Sequence, residues 1–332
     1  MHVIKARNVH QALPQGLAHL AAVGVPMPSR AGDVLVAPGP VTTVYERPTE
    51  RVLFWPERDA NPFFHMFEAL WMLGGRNDLT YLTQFVKRFT DFSDDGKILH
   101  GAYGYRWRHH WDFDQVARVI AYLKRNPLGR RGVISMWDPA ADLREDEVMR
   151  DVPCNVTIMF TPFYGRRDEP NQLHMTVINR SNDIIWGLYG ANAAHMSMLQ
   201  EYVATHLGLV VGNMTTISNN FHAYKDIFDK TYRGNLGPGG GAFVDPYSAG
   251  EVTPYPLIQD PTSWDRDLAL FFEDPHSYGF ENKFFHNVAK PMWFAHRAYK
   301  KKDIAGALEI IQQCQALDWR RAAREWLERR TK

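Results

Sequence analysis

Cysteine is nearly absent. The 332 residues hold two, Cys154 and Cys314, too few for a disulfide framework or a regularly spaced cysteine zinc site. Charge of one sign is missing too. Thirty-eight Lys and Arg stand against 37 Asp and Glu, a formal net charge of +1, so bulk electrostatics give no reason to expect a nucleic-acid or membrane partner. Any anion must be bound by arginines gathered locally. No stretch approaches the roughly 18 unbroken apolar residues of a membrane span. The opening "MHVIKARNVHQALPQGLAHLAAVGVP" lacks the apolar run and cleavage site of a signal peptide. Repeats and low-complexity tracts are also missing. These absences predict a reduced, soluble, cytoplasmic protein without a metal site.

Apolar residues make up 45% of the chain, enough for a sizeable core in one large domain or two ordinary ones. Residues 61–74, "NPFFHMFEALWMLG", are apolar almost all round and predict a buried helix. A second helix is expected over 113–127, ended by Pro127 and Gly129. Residues 130–137, 154–163 and 172–181 read as strands from their β-branched and aromatic content. The insert 164–171 reads as a hairpin-like turn, and 191–209 as a long helix with Gly208 near its end. Residues 233–256 read as a Gly/Pro-rich loop. Two or three amphipathic helices come next over 289–330, broken near Lys302–Asp303 and Leu317–Asp318. Helices and strands mix without regular βαβ alternation. That predicts an α+β fold with one large, mainly antiparallel or mixed sheet.

Two residues raise chemical questions. Cys154 lies in "DVPCNVT", after a proline and before a β-rich run. A lone cysteine there is either packing or a nucleophile, and the nucleophile requires positive charge close by. Arg130, Arg131 and Arg180 lie in the flanking segments and suit both a thiolate and a phosphate, which arginine grips bidentately. Glu68 sits in the middle of the apolar helix, where a carboxylate is rarely buried unless paired or functional. His195, on the long helix, reads as structural. The Gly-Pro-Gly-Gly-Gly run at 237–241 lacks the Lys-Ser/Thr of a phosphate loop and reads as plain loop.

The order of motifs narrows the choice. "EALWMLGG", "HGAYGYRWR", "GRRGVISMW", "VPCN", "NRSND", "WGLYGANAAH" and "NNFHAYKD" succeed one another over roughly residues 60–226. In sequence and spacing they resemble the thymidylate synthase family, on its pyrimidine nucleotide 5-hydroxymethylase-like branch. The resemblance implies a thymidylate-synthase-like catalytic domain over 1–288, with a C-terminal helical extension over 289–332. It implies one-carbon transfer from 5,10-methylenetetrahydrofolate to C5 of a pyrimidine nucleoside monophosphate through a covalent adduct of Cys154 with C6. Catalysis then falls to Cys154, Glu68, Tyr103 and Asn155. The nucleotide falls to Arg30, Arg180, Ser181, Asn192, His222 and Tyr224, with Arg130 and Arg131 reaching across a homodimer interface to the partner's phosphate. Asp183, Phe89 and Trp107 would meet the folate.

Departures from the family bear on the product. Asn155 replaces the histidine that usually comes after the nucleophile, Phe89 aligns with the tryptophan that covers the one-carbon intermediate, and Phe92 with a second tryptophan. Asn192 is offset by one residue from the base-reading asparagine, Asn220 replaces an aspartate, and the C-terminal lid has no counterpart. Hydride from the folate would give a methyl group, and water would give a hydroxymethyl group; exclusion of water separates the two. The departures favour hydroxymethylation over reductive methylation of dUMP. They leave uracil or cytosine, and ribose or deoxyribose, open. A catalytically silent nucleotide-binding protein of the same fold is the rival reading.

Overall fold

The computed structural model describes residues 1–144, 149–165, 169–232, 236 and 244–331. The glycine run at 237–241 and the centre of the 164–171 turn lie outside the described residues. Six strands, β1 (His2–Ala6), β4 (Val41–Tyr45), β9 (Val210–Ser218), β7 (Gln172–Asn179), β6 (Asn155–Phe163) and β5 (Val133–Ser135), lie side by side in that order. β1 with β4 and β7 with β9 run parallel, and the other neighbours antiparallel. A smaller sheet orders β2 (Val25–Met27), β3 (Val34–Val36), β10 (Phe221–Tyr224) and β8 (Asn182–Asp183). The large sheet is therefore mixed.

The helices are α1 (Val9–Val23), α2 (Pro62–Leu73), α3 (Leu79–Leu82), α4 (Tyr103–Arg108), α5 (Gln115–Arg125) and α6 (Pro139–Asp142). Then come α7 (Asn192–Leu207), α8 (Lys225–Tyr232), α9 (Trp264–Glu273), α10 (Lys290–Lys300), α11 (Ile304–Ile311) and α12 (Leu317–Glu328). α2 starts where the Asn61 side chain accepts the Phe64 N–H at 3.1 Å, with Pro62 supplying a preset φ in its first turn. Every α2 residue except Phe64 is buried. α7 lies between α2 and the large sheet. Its Gln200 amide donates to the Leu173 and Gly212 carbonyls at 2.8 and 3.1 Å, which fixes the helix over β7 and β9. Gly208 ends it at φ 67°, a conformation glycine adopts without strain.

The C-terminal helices start earlier than expected. A π-helical turn, Phe285–Ala289, runs directly into α10. The second break falls at 312–316, because Leu317 already opens α12. All three helices are present; α10 and α12 pack against α2, and α11 packs on both of them. Trp326 meets Phe63 edge-on at 5.5 Å, and Arg329 and Arg330 pair with Asp59 at 3.0 and 2.7 Å.

Asp318, in the first turn of α12, is 1% exposed. It accepts the Tyr247 hydroxyl at 2.9 Å, and burial pushes its pKa up to about 6. The folded state thus holds a proton that the unfolded state releases near its ordinary value. The contribution to stability is fully present below about pH 4 and is lost as pH rises through 6. Asp318→Asn keeps the acceptor and removes the charge. It is expected to raise unfolding stability by up to roughly 3 kcal/mol above pH 7, with a smaller gain at pH 5. Denaturant melts at both pH values check this; equal gains would contradict it.

Candidate active site

Cys154 immediately precedes β6, and its thiol is half-buried. Burial pushes its pKa up, Arg180 pulls it down, and Asp151 and Asp183 add to the rise. Arg180 is held to this strand by three hydrogen bonds. Its backbone N–H donates to the Cys154 carbonyl at 2.9 Å. Nε donates to Pro153 O at 2.9 Å and Nη2 to Val152 O at 3.0 Å. Its guanidinium lies 5.5 Å from the Trp137 ring centre. One cation therefore fixes the backbone ahead of Cys154 and favours the thiolate form of its side chain.

Tyr103 opens α4, where the Asn155 backbone N–H donates to its hydroxyl. Burial, then the neighbouring Cys154 and Asp151, push its pKa well up, so the phenol keeps its proton. Asn155 is enclosed. Its Nδ2 donates to Ile178 O at 3.0 Å and Asn179 Oδ1 at 3.3 Å, tying β6 to β7 where the pairing shifts register. Gly101 N–H donates to Asp151 Oδ2 at 2.8 Å, joining the turn before α4 to the nucleophile's loop.

The small sheet brings the next group. Its register sets Asp183 beside His222. Asp183 accepts the Ile185 and Trp186 N–H groups at 3.0 and 3.2 Å. Burial raises its pKa, against hydrogen bonding and the charges of His222 and Arg58. His222 and Tyr224 meet edge-on at 5.8 Å, and Tyr224 lies within the fields of Asp183, Cys154 and Arg30. Arg30 donates to Met149 O at 2.7 Å and Arg150 O at 2.9 Å, bracing the segment that leads to Cys154. Ser181 comes directly after Arg180, half-buried.

The backbone that leads to Asn192 is irregular. A π-helical turn, Ile184–Ala191, precedes α7 and contains Gly190 at φ −132°, ψ −117°. Such a turn holds one extra residue without disturbing the helix after it. A Cβ on Gly190 would stand 2.9 Å from Ile185 O, so the kink requires glycine. Asn192 then opens α7, with Nδ2 3.4 Å from Asn182 Oδ1.

Glu68 is 6% exposed on α2, and His195 is 2% exposed on the facing α7. His195 Nε2 stands 3.0 Å from Glu68 Oε2. That oxygen and both ring nitrogens have no hydrogen bond among the described residues. His65 lies beside them; burial, then the charges of Arg58 and His195, push its pKa well down. Arg58 donates to Ile185 O at 2.8 Å, and its guanidinium lies 4.2 Å from the ring centre of Trp186, which is 53% exposed. Burial lowers the Arg58 pKa to about 10, and Asp183 opposes the fall. Arg58 thus lies within the fields of both His65 on α2 and Asp183. Phe89 packs on Phe64 at 5.2 Å and on Phe92 at 6.0 Å; Phe64 is one helical turn before Glu68 and shares its face.

Three expected residues stand apart. Trp107 is 0% exposed, with no face open to a ligand in this conformation. Arg130 and Arg131 are exposed, and Arg131 stacks over Tyr122 at 4.7 Å. They precede Gly132, whose carbonyl accepts the Phe160 N–H. That point lies six residues along β6 from Cys154, about 20 Å at strand spacing. Sequence reasoning did not anticipate the contacts of Arg58 with Ile185 and Trp186 or the contact of His195 with Glu68. Only the exposed indole directly after "NDII" offered a local signal.

Comparison with known proteins places this geometry. The sequence profile described as "Thymidylate synthase" matches residues 61–234. The chain belongs to the thymidylate synthase family. It is 49% identical over 339 residues to the "Deoxyuridylate hydroxymethyltransferase" of Pseudomonas phage M6, covering 99% of this chain and 95% of that protein. It is 34% identical over 215 residues to the protein of the same name from Bacillus phage SP01, covering 59% of this chain and 54% of that protein. A "Thymidylate synthase" of Symbiobacterium thermophilum is 34% identical over 179 residues, 49% of this chain and 59% of its own length. The fold is that of thymidylate synthase, and the chain is a one-carbon transferase of this family.

Proposed function

We propose that the chain hydroxymethylates dUMP at C5. The near-full-length likeness to a protein named deoxyuridylate hydroxymethyltransferase carries this reading, because it includes the C-terminal helices. Cys154, set between Arg180 and Tyr103, adds as thiolate to C6 of the base and places electron density on C5. 5,10-Methylenetetrahydrofolate supplies the one-carbon unit when bound. Exposed Trp186 beside Asp183 fits such a flat heteroaromatic group. Tyr103, a protonated phenol beside the adduct, assists proton transfer at C5, and Glu68 orders water. Water then adds to the exocyclic methylene of the base, and the thiolate leaves C6.

Arg180, Ser181 and Arg30 bind the 5′-phosphate in this scheme, and His222 with Tyr224 the sugar 3′-hydroxyl. Asn192, at the start of α7, reads the base. Arg130 and Arg131, too far along β6 for their own Cys154, serve the partner's phosphate in a homodimer. No described helix is long and apolar enough to cross a membrane, and the cytoplasm, where free thiols persist, suits the nucleophile. Incubation with methylenetetrahydrofolate and each of dUMP, dCMP, UMP and CMP tests the substrate. Hydroxymethylated product is expected from dUMP, and a clear preference for a cytosine or ribose nucleotide would overturn it.

A further inference from the structure

The Glu68–His195 contact leaves buried polar atoms without partners. Such atoms in native proteins are paired with protein groups or with ordered water. Here Glu68 Oε2 and both ring nitrogens of His195 have no partner among the described residues, although Nε2 and Oε2 stand only 3.0 Å apart. Both side chains are more than nine-tenths buried, so bulk water does not satisfy them. Glu68 Oε2 and His195 Nε2, which face one another, supply two of the two to four partners a buried water requires.

His65 is held neutral by burial and by the neighbouring charges, which leaves Glu68 as the one acid facing His195 from α2. Arg58, whose charge reaches His65, is committed to Ile185 O and Trp186. The acid also shares a helix face with Phe64, on which Phe89 packs, so the water would sit beneath an aromatic cover.

We propose that the Glu68–His195 pair seats and activates the water that determines the product, with His195 as the positioning residue for Glu68. The inference rests on the hydroxymethylase reading and identifies what makes water the acceptor. The step balances without a redox partner. Water oxygen bonds to the exocyclic methylene carbon, and its proton passes to Glu68. The electron pair of the exocyclic bond moves to the enolate oxygen at C4. It returns to form the C5–C6 double bond, and the Cys154 thiolate departs. His195 holds Oε2 so that the carboxylate keeps one orientation toward the water.

The water step can be isolated without folate. By microscopic reversibility, the enzyme should exchange the hydroxymethyl oxygen of 5-hydroxymethyl-dUMP with ¹⁸O-labelled water through the same adduct. Thiol-dependent debromination of 5-bromo-dUMP, in which added thiol is oxidised to disulfide, requires only attack by Cys154 at C6 and serves as the control. His195→Phe is expected to keep debromination within about twofold and to slow oxygen exchange by at least about 10²-fold, the scale of lost general acid–base catalysis. His195→Gln, which keeps a side-chain N–H at this position, should recover most of the exchange. Equal loss of both reactions in both variants, or unchanged exchange in His195→Phe, would overturn the proposal. Wild-type protein that debrominates but never exchanges oxygen would instead overturn the hydroxymethylase reading.

Discussion

Cys154→Ser retains nucleotide affinity and loses turnover by at least about 10³-fold, the lower range of what removing an enzyme's nucleophile costs. The hydroxyl is the poorer nucleophile because it is scarcely ionised at neutral pH. Arg180 stabilises a thiolate but cannot bring an alkoxide within reach. Binding survives because the phosphate and sugar contacts assigned to Arg30, Arg180, His222 and Tyr224 come from other elements. The backbone around position 154 is likewise fixed by the Arg180 hydrogen bonds rather than by sulfur. Calorimetric titration with dUMP beside single-turnover kinetics separates the two effects. Turnover within tenfold of wild type would remove Cys154 from the chemistry.

Arg180→Gln has the second large effect, and its pH dependence identifies its origin. Losing a charge-assisted grip on phosphate weakens dUMP by about 10²- to 10³-fold. It also removes the cation that opposes burial at Cys154. The thiol pKa, already raised, rises further, so less thiolate exists at neutral pH. The ascending limb of kcat/KM therefore moves to higher pH, and part of the activity returns on the alkaline side. A pH profile with dUMP, compared with the unphosphorylated nucleoside, checks both parts. The affinity loss should fall on dUMP, and the pH displacement on both substrates. An unshifted profile would mean that Arg180 binds phosphate without activating sulfur.

The elements that carry the nucleophile were readable in advance because each has a strong local signature. α2 is apolar on every face between Asn61 and Gly74, β6 and β7 are β-branched runs, and α7 ends at a left-handed glycine. The N-terminal strands were not readable, since β2 and β3 are three residues each and short runs carry little periodic signal. α1 was concealed by Pro14 and Gly16, two residues that argue against a helix. Gly16 is needed because a Cβ there would lie 2.2 Å from the Tyr189 ring.

The site divides along the same line. Cys154, Arg180 and Asp183 lie within one run of chain, and their roles came from motif order. The meeting of Arg58, His65, Glu68 and His195 depends on α2 packing against α7 and on the π-helical turn before it. No local pattern announces a contact made by tertiary packing, so the meeting of His195 with Glu68 was not legible. Trp107 is the converse case: an aromatic in a site motif whose ring the fold encloses completely.

The fate of the folate is the most direct test of water addition at C5. Dihydrofolate formed per nucleotide consumed can be measured in a single incubation of the protein with dUMP and methylenetetrahydrofolate, with the nucleotide product weighed at the end. Water addition predicts 5-hydroxymethyl-dUMP and no dihydrofolate. A methylated product with one dihydrofolate per turnover would contradict it.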